Sequence, residues 1–220
     1  MKKLNLFSLT SLVLVLGLLA VTSCKKENIE PVKDIPVNVL SKSSFTAFDD
    51  AMHKLWADHM TWTYTTVDAF FNNTDALNQN LTRLLQNQID IGDAIKPYYS
   101  EEAGNQLADL LTEHIQLAVP VLTAAKDGDQ TALGIALDDW YQNAEDIGNF
   151  LADANPKNFD RMMMVHMMRM HIDQTTAYSV DLLGKNYDSA IVKFDEAFSH
   201  MTEMAHDLAV GIAKQFPNKF

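Results

Sequence analysis

Cysteine, proline and glycine are scarce in this chain of 220 residues. The single cysteine, Cys24, excludes an internal disulfide framework and any zinc or iron–sulfur site built on pairs of thiols. With 47% hydrophobic residues, only 8 glycines and 6 prolines, the composition indicates a globular chain and excludes a disordered or fibrous one. Phosphate-binding glycine loops, nucleophile elbows and the HExxH and CxxCH motifs are also missing. The sequence therefore favours a protein that acts without catalysis.

Basic residues are too few to balance the acidic ones. The chain has 17 lysines and arginines against 29 aspartates and glutamates, a formal charge of -12. Nucleic-acid binding depends largely on neutralising phosphates with basic side chains. We therefore expect no nucleic acid among the partners of this protein.

The N-terminus has the pattern of an export signal. Lys2 and Lys3 precede an apolar run over residues 12–21, which is too short to span a bilayer. The following Val-Thr-Ser-Cys, ending at Cys24, resembles the lipobox of bacterial lipoproteins, in which the cysteine is lipidated and becomes the new N-terminus. The resemblance implies a signal peptide over 1–23 and a membrane attachment through lipid on Cys24. By the same resemblance, Lys25 after the cysteine favours the outer membrane in a diderm host.

Residues 24–42 read as a tether, because they carry Pro31 and Pro36, mixed charges and no sustained apolar period. From residue 43 to residue 220, apolar positions recur three and four apart, which predicts an all-α domain. Capping residues, glycines and prolines divide it into six helices. The predicted ranges are 44–72, 77–97, 101–126, 130–153, 157–183 and 187–216.

The six helices are predicted to form a bundle of three αα-hairpin repeats. Gln-Asn-x-x-Asp-Ile-Gly occurs at residues 86–92 and again at 142–148, and a histidine recurs once per hairpin at His59, His114 and His171. Gly92, Gly148 and Ala209 are assigned to one position of the repeat. Since glycine costs about 1 kcal/mol relative to alanine inside a helix, its recurrence predicts close helix packing.

The repeated polar residues form the first candidate site. Its predicted members are the three histidines, the amides and carboxylates of the repeated motif, and one tryptophan on the face of His59: His59, His114, His171, Asn87, Asp90, Asn143, Asp146 and Trp62. Imidazoles with carboxylate partners suit a transition metal, and the same layer could hold a small ligand. The alternative is a structural layer in which each histidine donates to the aspartate of the adjacent helix.

A methionine-rich segment supplies an alternative, soft-metal site. Its members lie on the fifth and sixth helices: Met164, His166, Met167, Met168, Met170, Met204 and His206. Thioether and imidazole groups select Cu(I) and related ions. The other interpretation is that methionine fills irregular gaps in the core.

Several of these motifs resemble a family of exported or lipid-anchored, all-helical bacterial proteins. The resemblance covers nearly the whole domain and is carried by Leu55-Trp56, His59, Trp62-Thr63, Asn87-Gln88, Asp90 to Gly92, Tyr99, Glu101 to Gly104, Glu113-His114 and Gly211 to Phe220. It implies no particular activity. We therefore predict a lipid-anchored envelope protein that holds a metal ion or small ligand between its hairpins. The alternative is a non-enzymatic scaffold that docks another envelope protein through a helix face.

Overall fold

The computed structural model describes residues 39–220, and the part it describes is helical without strands. The elements are α1 (Ser43–Asn72), α2 (Thr74–Ile95), α3 (Glu101–Asp127), α4 (Gln130–Ala154), α5 (Arg161–Leu183), α6 (Tyr187–Gln215) and a 3-10 turn (Pro217–Lys219). The all-α, six-helix prediction is confirmed. The predicted signal peptide, Cys24 and most of the predicted tether lie outside the described residues. Within residues 39–220, none of the helices combines the length and apolar content of a membrane span.

The six helices form a closed ring around one core. Each helix contacts the helix before it and the helix after it, and α6 closes the ring on α1. The contacts between consecutive hairpins are as extensive as those within them, so each hairpin shares its apolar face with its neighbours. In addition, α5 contacts both α1 and α3, which places α5 nearest the centre of the bundle.

Several predicted helix ends are confirmed. The Ser100 side chain accepts a hydrogen bond from the backbone N–H of Ala103 and begins α3. Gly128 ends α3 in the left-handed conformation at φ 71°, and Asp129 then accepts from the N–H groups of Thr131 and Ala132 to begin α4.

Other predicted ends are wrong. Helix α2 begins at Thr74 rather than residue 77, and α5 begins at Arg161 rather than residue 157, because Asp160 supplies its N-cap by accepting from Met163 N–H. After α5, Gly184 is right-handed and the next residue, Lys185, adopts the left-handed conformation at φ 60°.

The close packing predicted at the repeated glycines is confirmed. A Cβ atom on Gly92 would lie 2.4 Å from the carbonyl oxygen of Gly104, and a Cβ atom on Gly148 would lie 2.7 Å from the backbone N and Cα of Val165. Backbone therefore meets backbone where α2 crosses α3 and where α4 crosses α5. Side chains at these positions would force the helices apart.

The residues before α1 and those after α6 pack together at one end of the bundle. Val39 is buried, and the Lys42 ammonium donates to the backbone carbonyl of Phe220 at 2.8 Å. The Phe220 ring stacks on Tyr98 with centroids 5.2 Å apart. Residues 39–42, which the sequence assigned to the tether, thus pack against the C-terminus of the helical domain.

Candidate functional site

Three histidines from alternate helices meet in the middle of the bundle. His59 lies on α1, His114 on α3 and His171 on α5, and each is 2% exposed. The His171 ring lies between the other two, with its centroid 5.5 Å from that of His59 and 5.6 Å from that of His114. The sequence repeat therefore places matching imidazoles at one level, which we call the histidine layer.

The even-numbered helices carry a repeated set of polar partners for this layer. Asn87 on α2 donates to the carbonyl of Leu55 at 3.0 Å, and Asn143 on α4 donates to the carbonyl of Leu110 at 3.1 Å. Each carbonyl belongs to the residue four before a layer histidine. Asn143 also bonds the layer directly, since its Oδ1 lies 2.9 Å from Nδ1 of His114.

In the third hairpin His200 takes the place of the asparagine. Its Nε2 lies 3.0 Å from the carbonyl of Met167, the residue four before His171. This contact fixes the register of α6, so that Glu203, Met204 and Ala205 correspond to the Asp-Ile-Gly of α2 and α4. The sequence-based alignment of Ala209 with Gly92 and Gly148 is therefore wrong by about one helical turn.

The layer histidines are held neutral. Burial lowers the pKa of His59 to about 3, assisted by the neighbouring His114. Burial also lowers the pKa of His114 to about 4, against a hydrogen bond to Asn143 that acts in the opposite direction. Burial, and then the nearby His59, His114 and His200, hold the pKa of His171 well below its usual range. Neutral imidazoles can accept a hydrogen bond or ligate an ion.

Several polar atoms in and beside the layer have no partner. Among them are Nε2 of His114, Nδ1 of His171, Oε1 of Gln88 and the indole nitrogens of Trp56 and Trp140. Because Nδ1 of His114 donates to the Asn143 carbonyl oxygen, its unpartnered Nε2 carries a lone pair and is a hydrogen-bond acceptor. A buried polar atom left without a partner costs about 1–3 kcal/mol.

A cavity of about 120 Å³ adjoins the histidine layer. The three histidines line it together with Trp140 and Thr175, and apolar side chains of α1, α2 and α3 supply most of its wall. These are Val67, Phe70, Leu77, Leu81, Leu84, Ile115, Ala118, Val119 and Leu122. Leu77, Leu81 and Ala118 are half-buried and Val119 is 41% exposed, so the cavity approaches the surface between α2 and α3.

The cavity lies at the opposite end of the α2–α3 pair from the close crossing of the two helices. The two helices meet backbone to backbone at Gly92 and Gly104, and the cavity lies where the N-terminal half of α2 faces the C-terminal half of α3. Pro120 lies inside α3 beside the cavity-lining Val119. Since proline removes one helical hydrogen bond, this part of α3 is a favourable place for an opening.

Three of the predicted site residues lie outside the layer. Asp90 forms an ion pair with Arg83, with 3.4 Å between the carboxylate and the guanidinium. Asp146 is exposed and accepts from Gln142 at 3.0 Å. Trp62 is half-buried, with the Arg83 guanidinium 5.7 Å from its ring centroid. For His59 and His114 the expected bond to an aspartate is replaced by contacts with the amides of Gln88 and Asn143. The aspartate of each Asn-x-x-Asp motif faces away from the layer.

The predicted soft-metal cluster is divided between core and surface. Met164, Met167, Met168 and Met204 are buried in the hydrophobic core. Met170 is half-buried, whereas His166 and His206 are exposed. The structure therefore separates the imidazoles from the buried thioethers, and the methionines fill the core as the alternative interpretation proposed.

The spacing of the layer histidines bears on metal binding. Within the described part of the chain, three ligating atoms lie within 4.8 Å of one another only at Asp49, His53 and His206. The histidine layer does not meet that spacing. Its geometry suits hydrogen bonds to a molecule beside it better than the shared coordination of one ion.

The sequence reasoning missed four residues of this site. Trp56 and Trp140 pack against His59 and His114, with ring centroids 5.7 and 5.2 Å apart. Gln88 lies 3.4 Å from Nδ1 of His59, and His200 completes the third hairpin. For His200 the signal was present in the sequence, because it follows His171 by the same 29 positions that separate Asn143 from His114.

The fold and site define a class of protein, an all-α bundle with a buried histidine layer beside an apolar cavity. Comparison of the chain with protein-family models, with curated proteins and with solved structures finds no match.

Proposed function

We propose that this protein is a lipid-anchored envelope protein that binds a small, largely apolar molecule in the cavity beside the histidine layer. The observation that carries the proposal is an apolar cavity of about 120 Å³ lined by the buried His114 ring, whose Nε2 has no partner. A dry cavity of about 150 Å³ in another protein binds benzene, so this volume suits a single aromatic ring. A hydroxyl or N–H group on that ring would donate to His114.

Binding without catalysis is the action that these features support. The layer histidines are neutral and packed among amides and indoles, and a small molecule is favoured over an ion because of the spacing of the ring nitrogens. The excess of acidic groups supports the absence of nucleic acid among the partners.

Ligand binding can be tested with phenol and benzene on the purified full chain by isothermal titration calorimetry. We expect phenol to bind about five- to tenfold more tightly than benzene, because only phenol donates a hydrogen bond to His114. The His114→Phe variant should lose this preference. The Ala118→Phe variant should bind neither compound, because the larger ring fills the cavity.

Ala103→Phe provides the matched control, since Ala103 is also half-buried on α3 but lies away from this cavity. Its affinities should equal those of the unmodified chain. If neither compound binds, or if both bind the Ala118→Phe variant normally, the cavity proposal is wrong.

The scaffold alternative has its own supporting observation. Among the exposed large apolar side chains of residues 39–220, four lie around the turn between α5 and α6: Val180, Tyr187, Ile191 and Val192. A contiguous patch of such side chains would favour a protein contact. A chain that bound neither phenol nor benzene would make this scaffold the better proposal.

The proposed envelope location rests on the lipobox-like sequence at Cys24. We expect the mature protein to begin at Cys24 and to carry acyl chains, which intact-mass spectrometry of the protein isolated from membranes would detect. The Cys24→Ala variant should lack the lipid mass. A mature N-terminus elsewhere, or an unmodified Cys24, would contradict the lipid anchor, and the outer membrane in a diderm host is part of the same proposal.

A further inference from the structure

Two histidines and one aspartate gather on the surface where α1 meets α6. Nδ1 of His206 lies 3.0 and 3.2 Å from the two carboxylate oxygens of Asp49. Nδ1 of His53 lies 2.9 Å from the backbone carbonyl of Asp49 and 3.5 Å from its carboxylate. The two imidazole centroids are 6.0 Å apart. Two imidazoles from different helices thus face one carboxylate. An ordinary ion pair with that carboxylate would need only one imidazole.

Helix geometry brings these groups together. Asp49 and His53 are four residues apart on α1, so their side chains lie on one face of that helix. His206 comes from α6, the helix that closes the ring against α1. The Asp49 side chain is 19% exposed, and those of His53 and His206 are 39% and 50% exposed. The cluster is therefore preformed and open to solutes.

From this geometry we propose that Asp49, His53 and His206 bind a divalent transition-metal ion such as Zn²⁺. Imidazole nitrogens and a carboxylate are ligands that this ion takes in proteins, at about 2.0–2.2 Å. Two atoms bonded to one such ion are about 3–3.4 Å apart at ordinary coordination angles, which matches the separation between Asp49 and His206. One ligating atom from each residue lies within 4.8 Å of the others, and rotation of the half-exposed imidazoles closes the remaining distance.

The surroundings of His53 fit the same role. Its Nδ1–H donates to the Asp49 carbonyl, which leaves Nε2 with the free lone pair. A metal-ligating histidine usually donates its other ring N–H to a carbonyl or carboxylate in this way. On binding, the ion takes the place of the Nδ1 hydrogen that faces Asp49, the neutral His206 ring carries its hydrogen on Nε2 instead, and water completes the coordination shell.

Metal binding at this position has a structural consequence. The three ligands belong to the first and last helices of the described fold, so a bound ion would link the two elements that close the ring. An ion that binds the folded chain more strongly than the unfolded chain raises the melting temperature. This site is separate from the cavity and does not depend on a ligand there.

Zn²⁺ binding to the full chain, purified without an affinity tag, tests the proposal by calorimetry and by thermal unfolding. We expect one Zn²⁺ per chain at this cluster and an increase in melting temperature. The His53→Gln and His206→Gln variants should each bind at least tenfold more weakly, and the double variant should show no Zn²⁺-dependent shift. Glutamine can still donate to Asp49, so the fold is retained while the imidazole ligand is removed.

His166→Gln is the control, since His166 is an exposed histidine on α5 outside the cluster. It should bind Zn²⁺ as the unmodified chain does. Co²⁺ gives a second readout, because a His₂Asp site should produce visible absorption bands that both cluster variants lose. Zn²⁺ affinity unchanged in the double variant, or lost equally in the His166 variant, would overturn the proposal.

Discussion

Lowering the pH from 7 to 5 should reduce the free energy of unfolding by about 4 kcal/mol through His59 and His114, and further through His171. Each layer histidine has a folded-state pKa far below the usual 6.5, because burial opposes its charged form. His59 and His114 should each contribute about 2 kcal/mol of this change, and His171 acts in the same direction. Since domains are commonly stable by about 5–15 kcal/mol, the protein is expected to approach unfolding near pH 5.

The sign of the effect follows from where the protons bind. Below pH 6.5 the unfolded chain takes up a proton on each of these histidines, while the folded chain keeps them neutral until their lower pKa values are reached, about 4 for His114 and about 3 for His59. Over that interval acid favours the unfolded state. The contribution of the layer histidines to stability is complete above the unfolded-state pKa of about 6.5. It is lost progressively as the pH falls from there toward their folded-state pKa values.

Urea unfolding at pH 7 and pH 5 measures this dependence. Replacing one layer histidine, as in His171→Gln, should make the loss of stability between the two pH values smaller, whatever the effect of the substitution on stability at pH 7. His166→Gln, at an exposed position, should leave the loss as it is. An equal loss in the His171 variant would show that the layer does not cause the acid sensitivity.

Replacing Gly148 with alanine should lower the free energy of unfolding by about 2 kcal/mol. The added Cβ would lie 2.7 Å from the backbone N and Cα of Val165, and a backbone cannot move aside as a flexible side chain can. Helices α4 and α5 would have to separate. Replacing a helical glycine with alanine usually stabilises a helix by about 1 kcal/mol. That gain is smaller than the cost of separating the two helices.

Gly134→Ala is the matched control because it makes the same chemical change in the same helix. Gly134 is exposed, and nothing lies within 4 Å of a Cβ atom placed there. It should therefore stabilise the protein by about 1 kcal/mol. Urea unfolding of the two variants should give changes of opposite sign. If Gly148→Ala were also stabilising, the close crossing of α4 and α5 would not be present in solution.

The histidine layer combines two costs that a purely structural layer would avoid. Its buried imidazoles make the folded protein less stable in acid, and His114 and His171 each leave a ring nitrogen without a partner. Apolar residues at these positions would remove both costs. This is why we favour a ligand-binding role for the layer over a role limited to setting the register of the hairpins.

The sequence was sufficient for the elements of the fold and for the recurrence of the histidines. Helical periodicity is a local signal, and so are the helix ends marked by Ser100, Gly128 and Asp129. A cap or a turn depends on residues that are close together in the chain. The repeated glycines also predicted close crossings correctly. The starts of α2 and α5 were wrong, because several residues near each start can serve as the cap, and contacts outside the helix decide among them.

The composition of the site required the tertiary structure. In each Asn-x-x-Asp motif the two polar residues lie on adjoining faces of one helix, and the sequence alone does not say which of them the bundle buries. Packing turned Asn87 and Asn143 inward and left Asp90 and Asp146 outside. The register of α6, set by the contact between His200 and Met167, was likewise decided by packing rather than by residue identity.

By itself, then, the sequence determined that the domain is built from six helices with a histidine in each hairpin, because helix formation depends on local periodicity and capping. Only the tertiary structure decided that three imidazoles meet beside a cavity and that Asp49 and His53 face His206. Those contacts join residues far apart in the chain, and their distances depend on how closely neighbouring helices approach.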